Sequence, residues 1–198
     1  MRYRIRVRGL SPIICHNGAA GLDTRSAANV EKAQIARKRG SDRTEADEVR
    51  LRELECYTSL YLDERGAPTL PAAAFRANIE AAARKLRQGP QVREGLIVEE
   101  VEAFDYDRSL GTTGPELARN AQFTVGVRVR QSRLLRTRAR FDEWAATFRV
   151  DTDPELVDQE QLLVWLDIGG RRLGVGDWRP EKSGLHGRFE VESIETLS

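Results

Sequence analysis

The chain has 198 residues, 40% of them hydrophobic and 32% charged, with a formal net charge of +1. This length suits one domain with insertions, or two small ones, and is ample for a real core. No run of 18 apolar residues exists, which argues against a membrane span, and residues 1–10 alternate Arg with apolar residues, unlike a secretory signal. Two cysteines, Cys15 and Cys56, are too few for a disulfide scaffold or a four-thiolate zinc site, so a reducing, cytoplasmic setting without metal or cofactor is expected.

In chain order, Arg2-Tyr3-Arg4-Ile5-Arg6-Val7-Arg8 has a strict period of two and predicts a strand over residues 1–9, bent at Ser11-Pro12. Residues 16–29 are small and polar and read as a loop. Charged helices are predicted over 29–39 and 44–55, the second opened by Thr44 and Asp47 in capping-box spacing. Residues 57–62 and 68–70 flank Asp63-Glu64-Arg65-Gly66 as a short hairpin. Pro71 opens a helix to about Gln88, with Gly89-Pro90 as its stop and an apolar face through Phe75, Ile79, Ala82 and Ala83.

A strand is predicted over 95–104, then an irregular polar stretch over 105–120. Residues 123–130 and 136–141 read as two arms of a basic ribbon, and alternation of Trp144, Ala146, Phe148 and Val150 gives another strand. Asp153-Pro154-Glu155 is a helix-start signal, followed by an apolar pattern to Ile168. Residues 169–187 hold six glycines, and 188–194 form a last strand. With the excursions 10–70 and 105–141 set aside, the order is strand, helix, strand, strand, helix, strand. This is the βαββαβ plan of an α+β, ferredoxin-like domain, here with two large insertions.

Positive charge is carried by 28 Arg and only 4 Lys. GC-rich codon usage accounts for such a bias without any functional cause, so the positions of the arginines carry the information. Arg2, Arg4, Arg6 and Arg8 point to one face of the first strand, about 6.6 Å apart. That face suits a nucleic-acid backbone, as on the sheets of single-strand binders, unless Glu190 and Glu192 of the last strand neutralise it. The ribbon holds Arg128, Arg130, Arg133, Arg136, Arg138 and Arg140 with no acid among them, the densest basic patch in the chain. In the glycine-rich loop, Gly174 and Gly176 can bring backbone N–H groups near phosphates. Arg171, Arg172 and Arg179 flank them, and Trp178 is placed either to stack on a base or to cap the core.

Several of these patterns together resemble the RAMP superfamily, RRM-like proteins that include backbone subunits of CRISPR effector complexes. The likeness rests on the strand running into Leu10-Ser11-Pro12-Ile13-Ile14, on the helix entry Leu70-Pro71-Ala72-Ala73-Ala74-Phe75-Arg76-Ala77, and on the glycine-rich loop from Gly169 to Arg188. It covers about half of the chain. The ending Leu173 to Pro180 with Gly187-Arg188-Phe189 is also similar to a group of phage-encoded proteins. The resemblance implies a non-enzymatic subunit that binds single-stranded RNA or DNA, assembles with copies of itself along the strand and joins other effector subunits.

A structural assembly protein, such as a phage particle or scaffold component, is the alternative that the near-zero net charge favours. A metal-dependent ribonuclease is the third reading. It would use Asp23, in the loop after the first strand, or His16 as a proton-transfer group. A lone Asp is neither a metal cage nor a base near neutral pH, so Asp23 reads first as a turn residue.

Overall fold

The computed structural model describes residues 1–129 and 132–197 and is a mixed α+β structure with antiparallel sheets. Its elements begin with β1 (Arg2–Gly9), β2 (Ile13–Ile14), α1 (Gly18–Leu22), α2 (Ala27–Arg37), α3 (Glu45–Ser59), α4 (Ala72–Lys85) and α5 (Gly89–Gly95). They continue with β3 (Leu96–Tyr106), α6 (Gly114–Asn120), β4 (Gln122–Val129), β5 (Ser132–Phe141), β6 (Trp144–Thr152), α7 (Gln159–Ile168) and β7 (Phe189–Leu197). The chain forms two compact units. The first comprises Met1–Ile14, Thr69–Asp107 and Phe141–Ser198; the second comprises Cys15–Pro68 and Arg108–Arg140. The two excursions marked in the sequence therefore contribute to one unit. No helix among the described residues is long and apolar enough to cross a membrane.

In the first unit, four strands pair in the order β3-β6-β1-β7, every neighbour antiparallel. Alternation in β1 buries Tyr3, Ile5 and Val7 and turns the intervening arginines outward. The buried residues share a core with Phe75 and Ile79 of α4, Phe148 and Val150 of β6, Leu162, Trp165 and Leu166 of α7, and Phe189 of β7. Phe75 stacks on Phe148 with centroids 4.3 Å apart and meets Phe189 edge-on at 6.2 Å. The Trp165 indole N–H donates to Gln88 Oε1 at 2.8 Å, so its one polar atom is satisfied.

Two boundaries in this unit differ from the sequence reading. Gly89-Pro90 does not only stop α4, which ends at Lys85; it opens α5, because a proline in the first helical turn sacrifices no hydrogen bond. Asp153 is not a helix cap. Its Oδ1 accepts the Glu155 N–H (3.0 Å) in a local turn, while α7 begins at Gln159 with Asp158 Oδ1 accepting the Gln161 N–H (2.8 Å).

The second unit departs further. Residues 16–29 are not one loop: they contain α1, capped by Asn17, and the start of α2, capped by Ser26. Thr44 and Asp47 do form a capping box, with Thr44 N–H donating to Asp47 Oδ2 (2.9 Å) and Asp47 N–H to Thr44 Oγ1 (3.2 Å). However, α3 continues to Ser59, and the hairpin expected over 57–70 is reduced to one bridge between Leu62 and Pro68. Where an irregular stretch was expected, α6 forms, its Glu116 carboxylate accepting the Thr113 N–H (3.0 Å). Leu54 and Cys56 of α3 are buried, as are Leu117 and Ala118 of α6. Cys15 is also buried, and burial pushes both thiols up to about 12, so neither is a ready nucleophile.

Candidate nucleic-acid interface

The outward arginines of β1 are neutralised within their own unit. Arg2 lies beside Glu99 (3.5 Å) and Asp151 (3.9 Å), and Arg4 beside Glu102 (2.7 Å) and Glu195 (3.6 Å). Arg6 pairs with Asp105 and Glu192 (both 2.7 Å), and Arg8 with Glu190 (2.7 Å). Arg149 of β6 reaches Glu100 and Glu102. The guanidinium groups thus come from the central strands β1 and β6, and nearly all of the carboxylates from the edge strands.

Bulges make this possible. Register in β7 shifts opposite Arg6 and Val7, leaving Glu192 as the extra residue; the change of parity brings Glu195 to the same face as Glu190. In β3 the shifts fall between Val98 and Ala103, the segment that carries Glu99, Glu100 and Glu102. Among the described residues these five arginines meet eight carboxylates, of which Asp151 also meets the N-terminal ammonium and Glu190 also meets Arg171. Because each arginine of β1 already faces at least one carboxylate, the face is a poor partner for a polyanion. As a binding strip, Arg2, Arg4, Arg6 and Arg8 are therefore set aside.

The glycine-rich loop is also committed internally. Gly174 N–H donates to Gly169 C=O (2.7 Å), Val175 N–H to Gly187 C=O (2.8 Å), Asp177 N–H to Ile14 C=O (2.8 Å) and Gly187 N–H to Pro12 C=O (2.7 Å). Asn78 clamps the turn, donating to the carbonyls of Gly169 (3.0 Å) and Gly174 (2.8 Å). A Cβ at Gly176 would lie 2.7 Å from Ile14 C=O, so close packing requires a glycine here. Arg171 pairs with Asp167 (2.7 Å) and Glu190 (3.5 Å), and Arg179 with Glu181 (2.7 Å). Trp178 is half-buried and its carbonyl accepts the His186 N–H (3.1 Å); Arg172 stays exposed.

The ribbon of the second unit is different. Its arms β4 and β5 pair antiparallel from Gln122 opposite Ala139 to Val129 opposite Ser132. Arg130 lies outside the described residues, as do the side chains of Arg128 and Arg133. Period two puts Arg136, Arg138 and Arg140 on one face of β5. The Arg140 guanidinium sits 5.0 Å from the centroid of the Phe123 ring, a cation–π arrangement. On the side of β5 away from β4, α3 supplies two acceptors: Thr137 N–H donates to Glu55 Oε2 (2.9 Å) and Ala139 N–H to Ser59 Oγ (2.8 Å).

Beside these acceptors opens a cleft of about 690 Å³, lined among others by His16, Lys32, Glu55, Thr58, Arg136 and Arg138. Arg136 donates to Glu55 Oε1 (3.1 Å), the one carboxylate among the described lining residues. Lys32 donates to Thr58 Oγ1 (3.1 Å) and makes no ion pair among the described residues. Burial holds its ammonium below the usual lysine range; Glu55 opposes that shift, and Arg136 and Arg138 add to it. Three cationic side chains and one carboxylate thus stand among the described lining residues.

The sequence reading missed Lys32, Glu55, Thr58 and Ser59. Ending the helix at Glu55 assigned Thr58 and Ser59 to a strand, which concealed that Leu51, Glu55, Thr58 and Ser59 share one helical stripe. The sequence does carry a signal for Lys32: it is one of four lysines among 28 arginines.

Asp23 follows α1 and closes a local turn, its Oδ1 accepting the Arg25 N–H (3.0 Å) and its carbonyl the Ser26 N–H (3.2 Å). No group of three or more His, Cys, Asp or Glu side chains is arranged to hold a metal ion among the described residues. His16 is exposed at the cleft, with its carbonyl accepting the Tyr61 hydroxyl (2.7 Å). No protein-family model matches the sequence, and no curated protein matches it.

Proposed function

We propose that the first unit is a ferredoxin-like, RRM-like domain of RAMP type, and that the chain binds single-stranded RNA or DNA through its second unit and assembles with copies of itself. The strand order β3-β6-β1-β7, with α4 between β1 and β3 and α7 between β6 and β7, supports the βαββαβ plan. The observation that carries the binding role is the convergence of Lys32, Arg136 and Arg138 on one cleft, whose described lining residues include a single carboxylate, Glu55. Like charges held together in a partly desolvated site mark a place where an anion is accepted. Arg140 over Phe123 extends the cationic surface along β5.

The test is a gel-shift titration with single-stranded oligonucleotides at fixed salt. Replacing Arg136, Arg138 and Arg140 together by alanine should weaken binding roughly tenfold or more and flatten the dependence of log K on log salt by about 2. Thermal stability should change little, because Glu55 retains the Thr137 N–H. Unchanged affinity in the triple variant would overturn the reading.

The ladder on the sheet face favours a second reading, a structural assembly protein. Alternating ion pairs on an exposed sheet can exchange partners between copies, so such contacts should survive nuclease and dissolve as salt rises. Sedimentation of nuclease-treated protein at increasing salt checks this. A monomer at every salt concentration removes the assembly reading.

A further inference from the structure

We propose that the cleft formed by α1, α2, α3 and β5 is a binding site for one nucleotide, its phosphate on Lys32, Arg136 and Arg138 and its base against the apolar lining residues. The proposal rests on the nucleic-acid reading for the class of ligand, but it does not require strand binding.

The volume of about 690 Å³ falls within the roughly 300–1,000 Å³ of sites that enclose small molecules. Two kinds of surface line it. Leu22, Ala33, Ala36 and Leu51 are apolar, and Leu22 is 82% exposed, a large hydrophobe that a stacked base would cover. The cationic residues supply both forms of phosphate recognition: the planar fork of arginine and the compact charge of lysine.

Local hydrogen bonds orient these groups. The Thr58 hydroxyl donates to the Leu54 carbonyl (2.9 Å), which leaves its oxygen lone pairs to accept Lys32 (3.1 Å). An ammonium has three N–H donors, so with one on Thr58 the others are available to a phosphate oxygen. Glu55 is a positioning residue: one carboxylate oxygen accepts Arg136 and the other the Thr137 N–H, which fixes the guanidinium relative to the strand. Burial first, and then the neighbouring Arg136 and Arg138, lower the pKa of Lys32, as in a partly desolvated group of like charges.

The experiment is isothermal titration of the nuclease-treated full chain with AMP, UMP, adenosine and inorganic phosphate. Both monophosphates should bind at least tenfold more tightly than adenosine or phosphate alone. Lys32→Met, with its fold checked by circular dichroism, should lose at least tenfold, and Leu22→Ala should weaken AMP while leaving phosphate unchanged. Monophosphates that bind no better than phosphate, or equal binding by wild type and Lys32→Met, would overturn the site.

An oligonucleotide arm distinguishes the source. If Lys32→Met also weakens a single-stranded 12-mer, the ligand is a nucleotide of the bound strand; if it spares the 12-mer and loses AMP, the ligand is a free nucleotide, and both results support the site. Intact AMP binding with no effect of the triple arginine variant on the 12-mer would sink strand binding alone.

Discussion

Replacing Phe75 by alanine is expected to cost the first unit about 3–5 kcal/mol, the range for emptying an aromatic site in a packed core. Phe75 is 0% exposed and holds β6 and β7 together through its stack on Phe148 and its edge contact with Phe189. Both partners are themselves fully buried and stand on different strands, so neither can move into the vacated volume without pulling a strand from its ladder. The chain offers a selective probe, because its three tryptophans, Trp144, Trp165 and Trp178, all belong to this unit. Urea unfolding followed by tryptophan fluorescence should show the midpoint falling at a constant slope. A loss below about 1 kcal/mol would contradict the packing described for Phe75.

The second large effect is expected at Gly187. Its φ is +71°, and a Cβ built there would lie 1.7 Å from the carbonyl oxygen of Val175. That carbonyl belongs to the backbone, so no side-chain rotation relieves the clash. The same residue accepts the Val175 N–H through its carbonyl and donates its N–H to Pro12, so displacement breaks hydrogen bonds on both sides. Gly187→Ala should therefore destabilise the first unit by about 3 kcal/mol, combining left-handed strain with a lost backbone register. The same fluorescence titration reads it, and a variant as stable as wild type would show that the loop is not anchored as described. Because the second unit contains neither residue, each variant that still folds should keep its nucleotide binding.

Much of the framework was legible because local signals agreed with the tertiary result. Alternation in β1 separated Tyr3, Ile5 and Val7 from the arginines, Pro71 marked the start of α4, and Thr44 with Asp47 marked the start of α3. Local signals failed where two sites competed for one role. Asp153 and Asp158 are both good caps, and only the second precedes the face that packs on the sheet. Thr113 and Glu116 have the spacing of a capping box, but the Gly and Pro between them read as an irregular turn.

What the sequence determined by itself is which side chains alternate, where helices can be capped, and that positive charge is concentrated in the opening strand and in the ribbon. Tertiary structure decided what each concentration meets. The bulges in β3 and β7 change strand parity and bring carboxylates onto the arginines of β1, and no local period announces such a change. Lys32, Glu55 and Arg136 are drawn from α2, α3 and β5, and their meeting depends on non-local packing that residue spacing does not encode. Charge is a property of a residue, but its neutralisation is a property of its neighbours in space.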